Sequence, residues 1–395
     1  MKDNITDMKA AKKICLDLQK YPTVPHQPAK NKFISQLHDL ASACQEVQET
    51  DVASYMRENA LPELLRIFDG HCGHPDANKS DLLFMLKIFA MYGYIEGVKR
   101  IVAASRSEDY AGEYLWSIIF SIVSEDAAAS NLVLDGLRDP LPSGFAGIAF
   151  LDMCNTLARG RGLAEHPFDS QQGRTKLESW LSSNKEDDVS NAISATAALP
   201  FLQSPGRDAL FSLAMDHLSP AVQLEGAWAC AHTGNQRGLN VLQEKCLDVT
   251  LSTRAQKYLQ ELGREDMIPE SIEPDFMARA EMSAWLEYPT EFGRPPTSIE
   301  VYDTRELYWP PTDDLRQVWL LKYLYDYDNL KDAGLGMVGS TTFALFSETT
   351  STMSPEDAYG LHCAWELMNK QDSRAPKERS AAAGRKILSL YNDGF

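Results

Sequence analysis

The chain has 395 residues, of which 44% are hydrophobic, 9% aromatic and 24% charged, enough apolar material for two or three domains or one long array and too much for a disordered chain. A formal net charge of -18 and a pI near 4.9 argue against binding to phosphate backbones, which needs a clustered positive surface, so no nucleic-acid partner is expected. Seven cysteines without a CxxC pair fit a reducing compartment, and the lack of a leader-like or membrane-length apolar run leads us to expect a cytoplasmic protein with no membrane partner.

Residues 5–20 and 30–47 are predicted as amphipathic helices forming an N-terminal hairpin, because the prolines of Tyr21-Pro22-Thr23-Val24-Pro25 bar one continuous helix. Residues 51–69 follow with Val52, Tyr55, Met56, Ala60, Leu61, Leu64, Leu65 and Phe68 at helical spacing. Residues 81–92 are apolar nearly all round, which predicts a buried helix ended by Gly93. Further helices are predicted at 95–104, 108–123, 126–137 and 144–159, with a stop at Asp139-Pro140-Leu141-Pro142 and a polar loop from Gly160 to Gly173. No strand is expected before about Pro269.

From Ser190 to Leu262 one pattern returns every 28 to 29 residues. Leu210, Leu213 and Leu218 recur as Leu239, Leu242 and Leu247. Ala195, Ala198 and Leu199 recur as Leu224, Ala227 and Trp228. In a weaker third copy Ala227 and Ala231 are answered by Ala255 and Leu259, and the turn at Gly234 by Gly263. In the clearest copy Ser219 and Pro220 open a helix whose Ala221, Leu224, Ala227, Trp228 and Ala231 share one face, with Val222 off the stripe. After Gly234 and Asn235 a second helix places Leu239, Leu242, Cys246 and Leu247 on its inner side. Helices this short are marginal alone and must be buried against neighbours.

This arrangement, best carried by Pro220 to Asp248, resembles the HEAT and armadillo group of α-solenoid repeats. The resemblance implies a right-handed stack of helical hairpins with a concave face that binds a partner, and it implies no catalytic residues. An irregular helical bundle is the other architecture such helix pairs can build.

Beyond Pro269 prolines and aromatics cluster, and three segments are predicted to be extended: Ser298–Thr304, Gln317–Tyr325 and Met337–Phe346. The second and third would pair across a loop from Asp326 to Gly336. Two helices close the chain at Ser354–Asn369 and Lys377–Tyr391, the first with capping-box spacing between Ser354 and Asp357. The fold expected is therefore mainly α: an α-α superhelix of HEAT-like hairpins over residues 1–268 and a small α+β cap over 269–395 with a short antiparallel sheet. The region Glu265–Leu330 holds 15 acidic and 5 basic residues, which fits either a basic partner or an ordinary solvated face.

Candidate chemistry is sparse. Gly334-Leu335-Gly336-Met337-Val338-Gly339 fits a GxGxxG string but lacks the strand-to-helix context of a dinucleotide site, so a glycine-rich hairpin turn is expected and no cofactor. His71-Cys72-Gly73-His74, with His26 and Cys44 elsewhere, has no second ligand pair, so an interhelical loop is expected and no metal. Asp326-Tyr327-Asp328-Asn329 fails as a calcium loop because Leu330 and Lys331 stand where a ligand and a glycine are needed.

The most individual segment runs from Tyr302 to Pro311. Tyr302, Arg305, Tyr308 and Trp309 are the residue types of binding hot spots and are taken as candidate partner-binding residues, against the plainer reading that Tyr308 and Trp309 pin the C-terminal part to the last hairpin. The function expected is a non-enzymatic interaction or scaffold protein that binds a protein or peptide partner, basic if the acidic region takes part. The alternative is an enzyme using Asp303, Arg305, Glu306 or His362 between the helical array and the cap.

Overall fold

The fold was read from a computed structural model, which describes residues 3–22, 51–161, 163–183, 185, 188–270, 272–288, 291–340, 343–346, 351–367 and 377–395. It is mainly helical, with a small antiparallel sheet near the C-terminus. The chain divides into two compact units, Met1–Ala229 and Cys230–Phe395. The helix predicted at 30–47, like His26 and Cys44, lies outside the described residues.

The first unit begins with α1 (Asp3–Lys20), which packs on α2 (Asp51–Tyr55) and α3 (Leu61–His71). These two are joined by one π-helical turn, Met56–Ala60, that lets the helix pass Pro62, whose ring would otherwise clash with the preceding turn. There follow α4 (Lys79–Met91), α5 (Ile95–Ser105), α6 (Leu115–Glu125), α7 (Ala127–Leu137), α8 (Gly144–Arg161), α9 (Gln171–Leu181), α10 (Val189–Ala198), α11 (Arg207–Met215) and α12 (Pro220–His232), the last straddling the boundary. Helices α4, α6, α8 and α10 pack one after another in a row, while α5 packs on α7 and α9 on α11. An aromatic ladder joins successive members. Trp116 and Phe120 of α6 stack at 5.5 Å, Phe120 meets Phe150 of α8 at 5.9 Å, and Phe150 meets Phe168 at 6.0 Å.

Polar side chains fix the turns of this unit. His166 accepts the Phe168 N–H at Nδ1, and its Nε2 lies 3.3 Å from the Asn155 side-chain oxygen. Asn155 in turn donates to the Ser194 carbonyl at 2.9 Å, tying α8 to α10. The hydrogen-bond pattern assigns the neutral Nε2–H tautomer, and burial lowers the His166 pKa to about 4. His217 repeats the device: the Ser219 N–H donates to its Nδ1 at 2.9 Å, and its Nε2 faces the Ser183 carbonyl at 3.1 Å.

In the second unit α13 (Gln236–Lys245) packs on α14 (Ser252–Glu261) and α14 on α15 (Pro274–Leu286). The turns at Gly234 and Gly263 are built alike. Both glycines have positive φ, +83° and +64°, and in both the next residue's N–H reaches back five residues, Asn235 to Cys230 and Arg264 to Leu259. This is the Schellman helix stop, which needs a residue that tolerates the left-handed region.

The strands β1 (Ser298–Trp309), β2 (Asp314–Tyr327), β3 (Leu330–Val338) and β4 (Phe343–Phe346) form one antiparallel sheet in the order β1-β2-β3-β4. Two helices close the unit, α16 (Pro355–Leu367) and α17 (Lys377–Leu388). Each face of the sheet is covered over part of its length. Leu307, Trp309, Val318, Leu320, Leu335 and Met337 pack with residues of α16 and α17, whereas Leu321, Tyr323, Tyr325 and Val338 pack with Ala278, Met282 and Leu286 of α15. A bulge between Val301 and Asp303 shifts the alternation, so Ile299 and Val301 join the α15 face while Leu307 and Trp309 join the other. Helices α16 and α17 approach so closely that a Cβ on Gly384 would meet the Gly360 carbonyl oxygen. Ser354 caps α16 through the Asp357 N–H at 3.2 Å.

Several expectations are corrected. The helix predicted at 108–123 begins only at Leu115; residues before it form turns in which the Tyr110 carbonyl accepts the Trp116 indole N–H and the Ala111 carbonyl accepts the Ala146 N–H. Leu247 is not on an inner helical face, because α13 ends at Lys245; it is 59% exposed, as its repeat counterpart Leu218 is 75% exposed. Val222 is fully buried, since α12 is covered on more than the predicted stripe. The third extended segment is two strands, and the supposed loop Asp326–Gly336 is mostly ladder, with the turn confined to Asp328-Asn329. Gly334 and Gly336 lie inside β3, each paired to β2 on one side and β4 on the other, so most of the glycine string is strand interior, and only Gly339, with φ +121°, falls beyond the end of β3 on the way to β4.

Candidate functional site

The four residues singled out on β1 part company in the structure. Trp309 is fully buried among the side chains that join the sheet to α16 and α17, and its indole N–H donates to Glu366 Oε2 at 2.7 Å. Arg305 is held internally. Its Nε donates to Asp303 at 2.7 Å and its Nη2 to Glu356 at 2.5 Å, and its guanidinium lies 5.5 and 5.6 Å from the rings of Tyr359 and Phe395. Burial opposes the charge on Arg305, but the two carboxylates more than offset this and raise its pKa, while the Arg305 hydrogen bond lowers that of Glu356. Tyr302 donates to the Met353 carbonyl at 3.2 Å and carries the Lys322 ammonium 3.6 Å from its ring centroid.

Tyr308 differs. By strand alternation it stands on the face opposite Trp309, directly across from Leu315, which is 63% exposed. Its ring stacks on Tyr391 at 5.0 Å, and its hydroxyl donates to Asp313. Asn392 fixes the pair: its side-chain oxygen accepts the Tyr308 N–H at 2.8 Å and its amide donates to the Tyr308 carbonyl at 3.1 Å and the Leu388 carbonyl at 3.0 Å. Leu315, Tyr391 and Asn392 were missed from sequence because nothing local links residue 391 to residue 308.

Of the residues considered for an enzyme, Asp303 and Arg305 pair, Glu306 falls on the opposite side of the strand and is exposed, and His362 is fully buried in α16 with its pKa lowered to about 3 by burial. His71 ends α3 with its ring buried, Cys72 is exposed, and His74 accepts the Asp76 N–H; among the described residues no three His, Cys, Asp or Glu side chains are grouped to hold a metal ion. A cleft of about 540 Å³ opens beside Leu247, lined also by Ile272, Asp275, Phe276 and Arg279, with Asp275 accepting the Trp319 indole N–H at 2.8 Å.

The first unit offers a different surface. Tyr114, at the start of α6, is 79% exposed and lies 5.0 Å from the Phe145 ring, and Ile118, one turn further, is 44% exposed. Both belong to the row α4, α6, α8, α10. On α8 the same row exposes Asp152, Thr156 and Arg159, the last stacked 4.1 Å over Trp228 and paired with the buried Glu225 at 3.3 Å.

Among the described residues no helix is long and apolar enough to cross a membrane. Comparisons of the chain with protein families, with curated proteins and with solved structures found no match.

Proposed function

We propose that this chain is a non-enzymatic interaction protein. Its first unit stacks helical hairpins in the manner of HEAT and armadillo repeats, and the open side of the row α4, α6, α8, α10 receives a segment of a partner protein. The observation that supports this most is the exposure of Tyr114 and Ile118 on a helix whose other sides are packed. Large apolar side chains left in water on a rigid element are the usual anchors of recognition, because they lose little entropy and release bound water when covered.

The test is capture from the protein's own cells with wild-type chain and with the double variant Tyr114→Ser, Ile118→Asp. Any protein that co-purifies is then identified and reconstituted with the purified chain. Both side chains are exposed, so the variant is expected to keep its melting temperature within a few degrees while losing at least tenfold in affinity. Undiminished binding of the reconstituted partner by the folded variant would overturn the reading.

A further inference from the structure

We propose that the tip of the β1–β2 hairpin is a second docking surface, which takes an arginine- or lysine-bearing segment of a partner protein; this rests on the reading of the chain as an interaction protein. The tip is an unpartnered stretch of sheet face. On the face that α15 covers further along, Thr304, Glu306, Leu315 and Gln317 are all exposed. Tyr308 and Tyr391 form a stacked pair there, Tyr391 with 57% of its surface in water. The pair is held rigid by the two-point grip of Asn392 on the Tyr308 backbone. Binding to it would therefore immobilise little that is not already fixed.

The charges nearby choose the occupant. Asp313, which accepts the Tyr308 hydroxyl, and Glu306 and Asp393 are exposed near the aromatic pair, while Asp314 is paired with Arg316. Arg316 is the neighbouring cation and is already consumed by a two-point bond to Asp314, at 2.6 and 3.0 Å. An aromatic face with unneutralised carboxylates beside it suits a guanidinium or ammonium group, which gains from the ring quadrupole and the carboxylates together. Asp313 also holds a left-handed backbone, φ 60°, at the end of the turn that begins with Pro310-Pro311, so the carboxylate is set in place by the turn itself.

The probe is a fluorescein-labelled nine-residue peptide alternating arginine with leucine, titrated with the full chain and followed by fluorescence anisotropy. A peptide with glutamate in place of arginine is the charge control. Binding of the basic peptide alone, weakening as salt is raised, is expected. Tyr391→Ser and Glu306→Gln should each weaken it at least threefold and the pair at least tenfold, whereas Glu261→Gln with Glu265→Gln, two exposed acids elsewhere, should leave it unchanged. Among the described residues the Glu306 side chain makes no hydrogen bond that its loss would break, so that variant reports even if Tyr391→Ser were poorly folded. Equal losses from the distant pair would mean diffuse attraction to an acidic chain and would overturn the proposal. So would binding unaffected by Glu306→Gln, or concentration-dependent self-association relieved by Tyr391→Ser, which would make a second copy the occupant. Partner capture sensitive to Tyr114 and Ile118 while the basic peptide fails to bind sinks this proposal and leaves the first standing.

Discussion

Trp116 in the first unit and Trp309 in the second are both fully buried, and each indole N–H is satisfied at 2.7 Å. Their supports differ. Trp116 donates to Tyr110, six residues back, and stacks on Phe120, one helical turn ahead. Trp309 donates to Glu366, 57 residues on, and packs in one cluster with Leu335, Met337, Tyr359 and Leu388. The first unit is thus assembled from short steps along the chain. In the second, one core residue depends on strands and helices drawn from a long span of sequence. A local core can lose one helix-to-helix step and keep the others; a core closed by distant segments is lost together.

Substituting alanine at each tryptophan is the strongest way to break this contrast. Trp116→Ala and Trp309→Ala should each cost about 4 kcal/mol, the usual result of emptying a large buried aromatic site. The distribution of the loss should differ. Hydrogen exchange should quicken mainly over residues 107–161 for Trp116→Ala, but over 298–338, 355–367 and 377–388 at once for Trp309→Ala. A Trp116→Ala chain that loses protection evenly from 79 to 215 would show that the helical row is no more divisible than the sheet.

The same contrast explains what could be read from sequence. Helical periodicity located most helices of the first unit, and the glycines spaced 29 apart, Gly234 and Gly263, end their helices in one geometry. Failure came where a local pattern was overruled by a distant partner. Leu330-Lys331-Asp332-Ala333 has too much charge to look like a strand, yet it pairs with Tyr327 to Leu324 because Asp328-Asn329 makes a tight turn. The fate of Trp309 was also illegible: alternation separates Trp309 from Tyr308 but does not say which side will be covered, and α16 and α17 decide it. Of the four candidates on β1, only Tyr308 reaches the patch shared with Leu315 and Tyr391, for the same reason.

A second, smaller effect should strike both units alike. His166 and His362 are buried as neutral rings with pKa values lowered by burial to about 4 and about 3, from an ordinary value of 6.5. Between pH 6.5 and about 4 the unfolded chain binds protons at these positions that the folded chain refuses. Stability therefore falls as pH falls through that window, and is fully present above it. From pH 7 to pH 5 each histidine should cost about 2 kcal/mol. Urea midpoints at the two pH values, read by hydrogen exchange in each unit, measure this. His166→Asn, which keeps an acceptor for the Phe168 N–H, should flatten the dependence in the first unit and leave the second unchanged. An unaltered slope in the first unit would mean that other groups carry it.

The smallest predicted effect bears on whether the repeated turns are copies of one device. A Cβ added at Gly234 or Gly263 would meet nothing within 4 Å, so substitution there introduces no clash and alters only the backbone's preference. Alanine resists the left-handed region by about 1 kcal/mol, and both positions require that region to close the same back-bond from the following N–H. Gly234→Ala and Gly263→Ala should accordingly lower stability by about 1 kcal/mol each, and the double variant by about their sum, because the two turns share no partners. Chemical denaturation at matched conditions resolves differences of this size when the slopes are equal. Unequal costs would place the difference in the surroundings of one turn, since the backbone geometry is common to both, and the 29-residue spacing would then mark a resemblance of sequence without an equivalence of structure.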